Sequence, residues 1–233
     1  MKNVILQSSD FTGVTFWLIS MTMLAATVFF FIERNSVKAS WRTSVTLSGL
    51  VTGIAFVHYM YMREVWVTTG TSPTVFRYID WLLTVPLLMV EFYFILSAVK
   101  KVSGGIFWRL LIGTLVMLIG GYLGEAKYIS INLGFIIGMI GWIYILYEVF
   151  AGEAAKEAKK LKGAAASCFE FCKWIVTIGW AVYPLGYLFG YMTGSADETT
   201  LNIIYNLADF INKLIFGLVI WHTAKSLTPA SAK

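Results

Sequence analysis

Seven apolar stretches of about 20 residues, separated by short polar breaks, constrain this chain more than any other feature. They run approximately over 12–32, 44–64, 74–99, 106–123, 129–150, 168–192 and 200–224. A helix rises about 1.5 Å per residue, so each stretch is long enough to cross a hydrocarbon core of about 30 Å. The breaks carry turn-forming residues, as in TTGTSP and KKVSGG, the latter at 100–105. The longest, AGEAAKEAKKLKGAAAS at 151–167, reads as a solvated loop with a helical extension. Only 13% of the residues are charged, against about 25% in soluble domains. The expected fold is an all-α membrane protein, with residues 1–233 forming one seven-transmembrane helix bundle.

The basic residues set the orientation. Thirteen fall on one side: Arg34, Lys38, Arg42, Lys100, Lys101, Arg109, Lys156, Lys159, Lys160, Lys162, Lys173, Lys225 and Lys233. The other side carries Lys2, Arg63 and Lys127, with Asp197 and Glu198 in its last loop. Positive residues stay cytoplasmic, which predicts an external N-terminus and a cytoplasmic C-terminus, as an odd number of spans requires. The formal charge of +5 is dispersed between apolar runs rather than gathered on one face, which excludes a nucleic-acid surface. No Cys/His spacing suits a metal, and Cys168 and Cys172, one helical turn apart, read as reduced bystanders. The opening MKNVILQSSDF lacks a secretory apolar core, so either a signal has been removed or the first helix directs insertion.

Away from the span ends, the ionisable side chains within the membrane are His58, Arg77, Asp80, Glu91, Asp209 and Lys213. Charges at a bilayer's centre are expensive, and such residues normally face the bundle interior with a partner. Structural ion pairing between helices is the plainer explanation. Geometry narrows it. Asp209 and Lys213 are i and i+4 on one face, with Lys213 near mid-bilayer. A lysine there needs nearby carboxylates to remain an ammonium, and a desolvated lysine suits condensation with a carbonyl. In RYIDWLLTVPLLMVE, Arg77, Asp80 and Thr84 share one side. Glu91 returns to within about 20° of the direction of Asp80 and lies about 16 Å further along the axis. Two carboxyl groups at different depths on one face describe a route for protons. Similar bookkeeping puts His58, about 21 Å up the second helix, level with Asp80. An isolated interior histidine is otherwise a satisfied structural donor.

These residues, with the stretches FRYIDWLLTVPLLMVEF, GIAFVHYMYMR, GWAVYPLGY and NLADFINKLIFGL, resemble the microbial rhodopsins. Within that family the resemblance is to proteorhodopsins of the green-absorbing type, and it extends through all seven spans. It implies all-trans retinal bound covalently to Lys213 as a protonated Schiff base. Asp80 would then be counterion and primary proton acceptor, Asp209 the second counterion, and Glu91 the cytoplasmic proton donor. Arg77 would tune the counterions, Thr84 would complete the pump's triplet with Asp80 and Glu91, and His58 would hydrogen-bond Asp80. Trp81, Trp180, Tyr183 and Pro184 resemble the residues flanking the polyene, with Phe135 and Tyr205 beside them. An apolar Leu88 resembles the green form. Aromatic stripes and prolines such as Pro86 are, on their own, as readily packing and kinks. Val57 departs from the pattern, where a tryptophan is expected. Glu125 matches a family glutamate near the outer surface, although an exposed loop charge is the simpler reading.

The resemblance implies a light-driven outward proton pump, a transporter and not an enzyme, in a bacterial inner membrane. Lipid, transported protons and further copies of itself in rings of five or six are the implied partners. Trp17 could meet a neighbour's His58. A photosensor usually lacks the carboxyl at Glu91, and sodium or chloride pumps replace the Asp80, Thr84, Glu91 triplet. A seven-helix receptor would leave Lys213 and Asp209 as mere structure. Glu91 in its apolar surroundings is expected to rest uncharged, as a donor must. Bulky Phe135 argues against a carotenoid antenna.

Overall fold

The computed structural model describes residues 5–229, so Lys2 and Lys233 lie outside the described residues. Seven helices follow one another: α1 (Phe11–Glu33), α2 (Arg42–Thr69), α3 (Thr74–Ser97), α4 (Gly105–Glu125), α5 (Ile131–Phe150), α6 (Gly163–Met192) and α7 (Glu198–Ser226). All seven are long and apolar enough to cross a bilayer, and no strand occurs among the described residues. The expected spans lie inside these helices to within a few residues. Helix α2 runs a turn further outward, stopping at Gly70, whose φ of 70° is the left-handed conformation that ends helices. Helix α6 begins earlier than its apolar stretch, and the long connection holds a short helix, Glu153–Ala158.

Local chemistry starts several helices. The Asp10 carboxylate accepts the Gly13 N–H at 2.9 Å to cap α1, and the Trp66 indole N–H of α2 at 3.0 Å. Ser130 caps α5, and Asp197 caps α7 through the Thr200 N–H at 2.8 Å. Neighbours in sequence pack side by side, and α7 returns against α1 and α2 to close the ring. Helix α3 is the central one, with 67% of its apolar window buried against 28% for α5 and α6. Trp108, Ile143 and Ile178 are exposed on the outer surface, where a lipid-facing protein carries its apolar side chains. Helices α4 and α5 approach closely at Gly141, where an added Cβ would lie 2.7 Å from the Met117 Cα.

Helices α6 and α7 each leave the α-helical ladder for wide π-type turns, at Ile175–Gly179 and Leu188–Met192 in α6 and at Phe210–Ile215 in α7. Such turns collect at functional sites because they rotate side chains out of register. The turn in α7 contains Lys213. It meets the first turn in α6, where the Asn212 side-chain amide donates to the Gly179 carbonyl at 3.1 Å. Gly179 has no side chain because Asn212 occupies the space.

Candidate functional site

Lys213, 2% exposed, projects from the π-type turn of α7 towards α3. Its Nζ donates to Asp209 Oδ2 at 2.8 Å and to Asp80 Oδ2 at a shorter separation. Both carboxylates are fully buried, so their negative charge is what makes a buried ammonium tolerable. The two acids are held differently. Asp209 also accepts the Tyr59 hydroxyl at 3.0 Å, the Trp81 indole N–H at 3.2 Å and the Tyr183 hydroxyl at 2.6 Å. Oδ1 of Asp80 accepts no hydrogen bond among the described residues.

His58 reaches the depth expected for it, but the expected hydrogen bond to Asp80 is not formed. Its Nδ1 lies 3.7 Å from Asp80 Oδ1, beyond hydrogen-bond range, and 3.0 Å from the Ile54 carbonyl one turn back on α2. A helix carbonyl i−4 is the nearest acceptor and captures the ring N–H. Thr84 similarly turns its hydroxyl to the Asp80 backbone carbonyl at 2.8 Å. Arg77, 2% exposed, makes no ion pair within 4 Å among the described residues. It donates to Asn202 Oδ1 at 2.7 Å and Asn206 Oδ1 at 3.2 Å, and lies 5.3 Å from the Tyr205 ring centroid. Its link to the carboxylates therefore runs through α7.

Glu91 is buried on the same helix towards the basic end, 1% exposed, with neither carboxyl oxygen hydrogen-bonded among the described residues. An unpaired anion there would carry the full cost of burial, so the neutral acid is the form this environment accepts. Glu125 is not the exposed loop charge its position suggests. It is half-buried at the end of α4 and accepts the Tyr78 hydroxyl at 3.0 Å. Val57 is 48% exposed on the outside of the bundle, away from this chemistry. Trp17 is 40% exposed, with the Arg63 guanidinium 5.2 Å from its ring.

From Lys213 a cavity of about 800 Å³, counting the space at its open mouth, runs between α3 and α6 to α4 and α5. Trp81, Leu88, Phe135, Trp180, Tyr183, Pro184 and Tyr205, all singled out in the sequence, line it. Met117, Gly138 and Trp142 complete walls that sequence reasoning missed. Trp142 is fixed by an indole N–H donated to the Val176 carbonyl at 3.1 Å. Tyr59, Asn202 and Asn206 were missed too. A signal for the asparagines was present: positions 202, 206, 209 and 213 form a polar stripe at helical spacing along α7. The cavity is long and apolar, and ends at one amine flanked by anions. That fits a polyene aldehyde: carbon along the walls, and a single electrophilic end at Nζ.

Fold and site together define a seven-helix membrane protein whose elongated apolar cavity ends at a buried lysine. The chain belongs to the bacteriorhodopsin-like family, whose model matches residues 10–227. It is 56% identical over 220 residues to the green-light absorbing proteorhodopsin of Gamma-proteobacterium EBAC31A08, covering 94% of this chain and 88% of that one. The blue-light absorbing proteorhodopsin of Gamma-proteobacterium Hot 75m4 is 54% identical over 221 residues, with the same coverage. The crystal structure of blue light-absorbing proteorhodopsin from Med12 superposes with a TM-score of 0.81 at 52% identity, over 93% of this chain and 99% of that chain.

Proposed function

We infer that this protein is a light-driven proton pump that moves protons outward across a bacterial inner membrane. The observation that carries the reading is Lys213 Nζ held between two buried carboxylates at the closed end of an apolar cavity. All-trans retinal joined to Lys213 would be gripped by Trp81, Trp180 and Pro184. When bound, it supplies the absorption of visible light and a change of shape that re-aims the Lys213 nitrogen.

Asp80 receives the proton. It shares the cation with Asp209, but Asp209 is stabilised as an anion by three further donors, whereas Asp80 has an oxygen to spare. Asp209 therefore keeps its charge while Asp80 changes. Arg77 holds a fixed positive charge on the side towards Asn202, where a released proton leaves. Glu91 keeps its proton in the apolar surroundings of α3 and returns it towards Lys213 from the other side. His58, close to Asp80 without bonding it, senses the change of charge. Thr84 holds the Asp80 backbone in place.

The end that carries most Lys and Arg faces the cytoplasm, so Asp80 lies towards the outside and Glu91 towards the inside. Leu88, 2% exposed on the cavity wall, gives the chromophore an apolar neighbour and a green absorption. The exposed apolar surfaces of α1 and α2 around Trp17 face lipid or further copies in a pentamer or hexamer. Illumination of vesicles holding the retinal-loaded protein tests the function. Light-induced external acidification, abolished by a protonophore, is the expected result with right-side-out protein. An intact visible band with no pH change identifies a sensor instead.

A further inference from the structure

A second cavity opens at the basic end of the bundle, remote from Lys213. It is an open pocket of about 570 Å³, counting the space at its mouth, between the end of α5, the short helix Glu153–Ala158 and the start of α6. Its floor is apolar, formed by the buried Val149, Leu161 and Phe169, and its rim carries Lys159, Lys173 and Glu170. Phe150 and Trp174 stand beside it, 40% and 51% exposed, with ring centroids 5.9 Å apart. Exposed aromatics of this kind mark the headgroup level of a bilayer.

The local charges do not cancel. Glu157 is matched by Lys100 and Lys160, Glu148 and Glu153 by Arg109, and Glu170 by Lys173 at 2.6 Å. That leaves Lys156, Lys159 and Lys162 without a carboxylate within 4 Å among the described residues. The Lys173 side chain is only 13% exposed, and its ammonium lies 4.6 Å from the Phe150 ring centroid. An apolar slot at headgroup depth with surplus positive charge at its mouth has two requirements, one for a hydrocarbon chain and one for an anion.

We propose that this cavity binds an anionic phospholipid, with its phosphate at the unmatched Lys159 and at Lys173, which exchanges the 56% exposed Glu170 side chain for it, and an acyl chain along Val149, Leu161 and Phe169. A soluble anion would leave the floor uncovered, and a zwitterionic lipid would not answer the surplus charge. The proposal rests on reading this end as cytoplasmic, where anionic lipids draw basic pockets between helices.

Native mass spectrometry of the retinal-loaded protein in neutral detergent tests it. Phosphatidylglycerol and phosphatidylcholine of matched chains are offered separately, with glycerol 3-phosphate as a soluble competitor. One phosphatidylglycerol is retained per chain, phosphatidylcholine is not, and glycerol 3-phosphate does not displace the lipid. Retention falls about 25-fold in the Lys159→Gln/Lys173→Gln double variant, at about fivefold per lysine near a headgroup. It is also lost in Ala158→Trp, which fills the slot and leaves both lysines. An unchanged visible band certifies the fold of each variant. Equal retention of the two lipids, displacement by glycerol 3-phosphate, or undiminished retention by either variant overturns the proposal. Binding in detergent depends on neither orientation nor pumping, so failure here is separable from failure of the pump reading.

Discussion

Asp80 and Asp209 both bond the same Lys213 ammonium, yet only Asp209 is surrounded by other donors. Tyr59, Trp81 and Tyr183 come from three different helices and converge on its two oxygens. The asymmetry is the observation on which the proposed division into a fixed charge and a proton acceptor rests.

Asp80→Asn is expected to shift the absorption to the red and stop transport. The cation of the Lys213 nitrogen loses one of its two negative partners, so its charge is held less tightly in the dark state. Absorption spectra and vesicle acidification measure both effects, and continued pumping would contradict the assignment. Acidification of the native protein should give the same red shift, and the variant should not show that transition.

Asp209→Asn is expected to destabilise the pigment more than Asp80→Asn does. It puts an amide donor where one of the two accepting oxygens was and removes half the cation's compensation, and breaking one partner of a buried pair costs about 3–5 kcal/mol. Thermal bleaching of the visible band is the measurement. Equal midpoints in the two variants would argue against the asymmetry.

Glu91→Gln should leave the colour nearly unchanged, because Glu91 lies towards the basic end of α3 and the proposed mechanism has it neutral at rest. The return of the proton to the Lys213 nitrogen should slow severely. Flash photolysis reads that phase directly, and an unaltered photocycle would remove Glu91 from the donor role.

Gly141→Ala tests the contact between α4 and α5. The added Cβ would meet the Met117 backbone, which cannot swing aside as a side chain can. Overpacking of this kind costs about 1–3 kcal/mol, so the pigment should bleach at lower temperature, while its absorption maximum moves little.

Asp197 offers a pH test at the start of α7. The Thr200 backbone N–H at 2.8 Å and its hydroxyl at 2.9 Å hold this exposed carboxyl below the ordinary aspartate value. A group lowered in the folded state stabilises it above its unfolded value of about 3.9, and that contribution is lost as pH falls through the folded value. Asp197→Ala should therefore bleach earlier than the native protein at neutral pH. The difference should shrink in acid, and one that persisted there would show that the cap is not ionic.

Much of this was legible along the chain. The seven helices follow from apolar length, and helical spacing sets Asp209 beside Lys213 and puts Asp80 and Glu91 on one face of α3. Only the resemblance to microbial rhodopsins joined the two pairs, and both Asp80 and Asp209 bond Lys213 in the structure. The fate of individual hydrogen bonds was not legible. His58 was expected to bond Asp80 and instead bonds its own helix, because a ring nitrogen chooses among acceptors separated by less than an ångström. Glu125 looked like a loop charge because helix ends cannot be read to within a turn, and one turn decides whether a side chain faces water or the cavity.

The sequence by itself determined that the chain crosses a membrane seven times, which end carries the positive charge, and how deep each ionisable group lies. Those are linear quantities, set by counting residues. The tertiary structure alone decided which carboxylate gathered Tyr59, Trp81 and Tyr183, which asparagines received Arg77, and how the cavity runs from α7 to α5. Each depends on the rotation of one helix against another, which is fixed by packing between residues far apart in the chain.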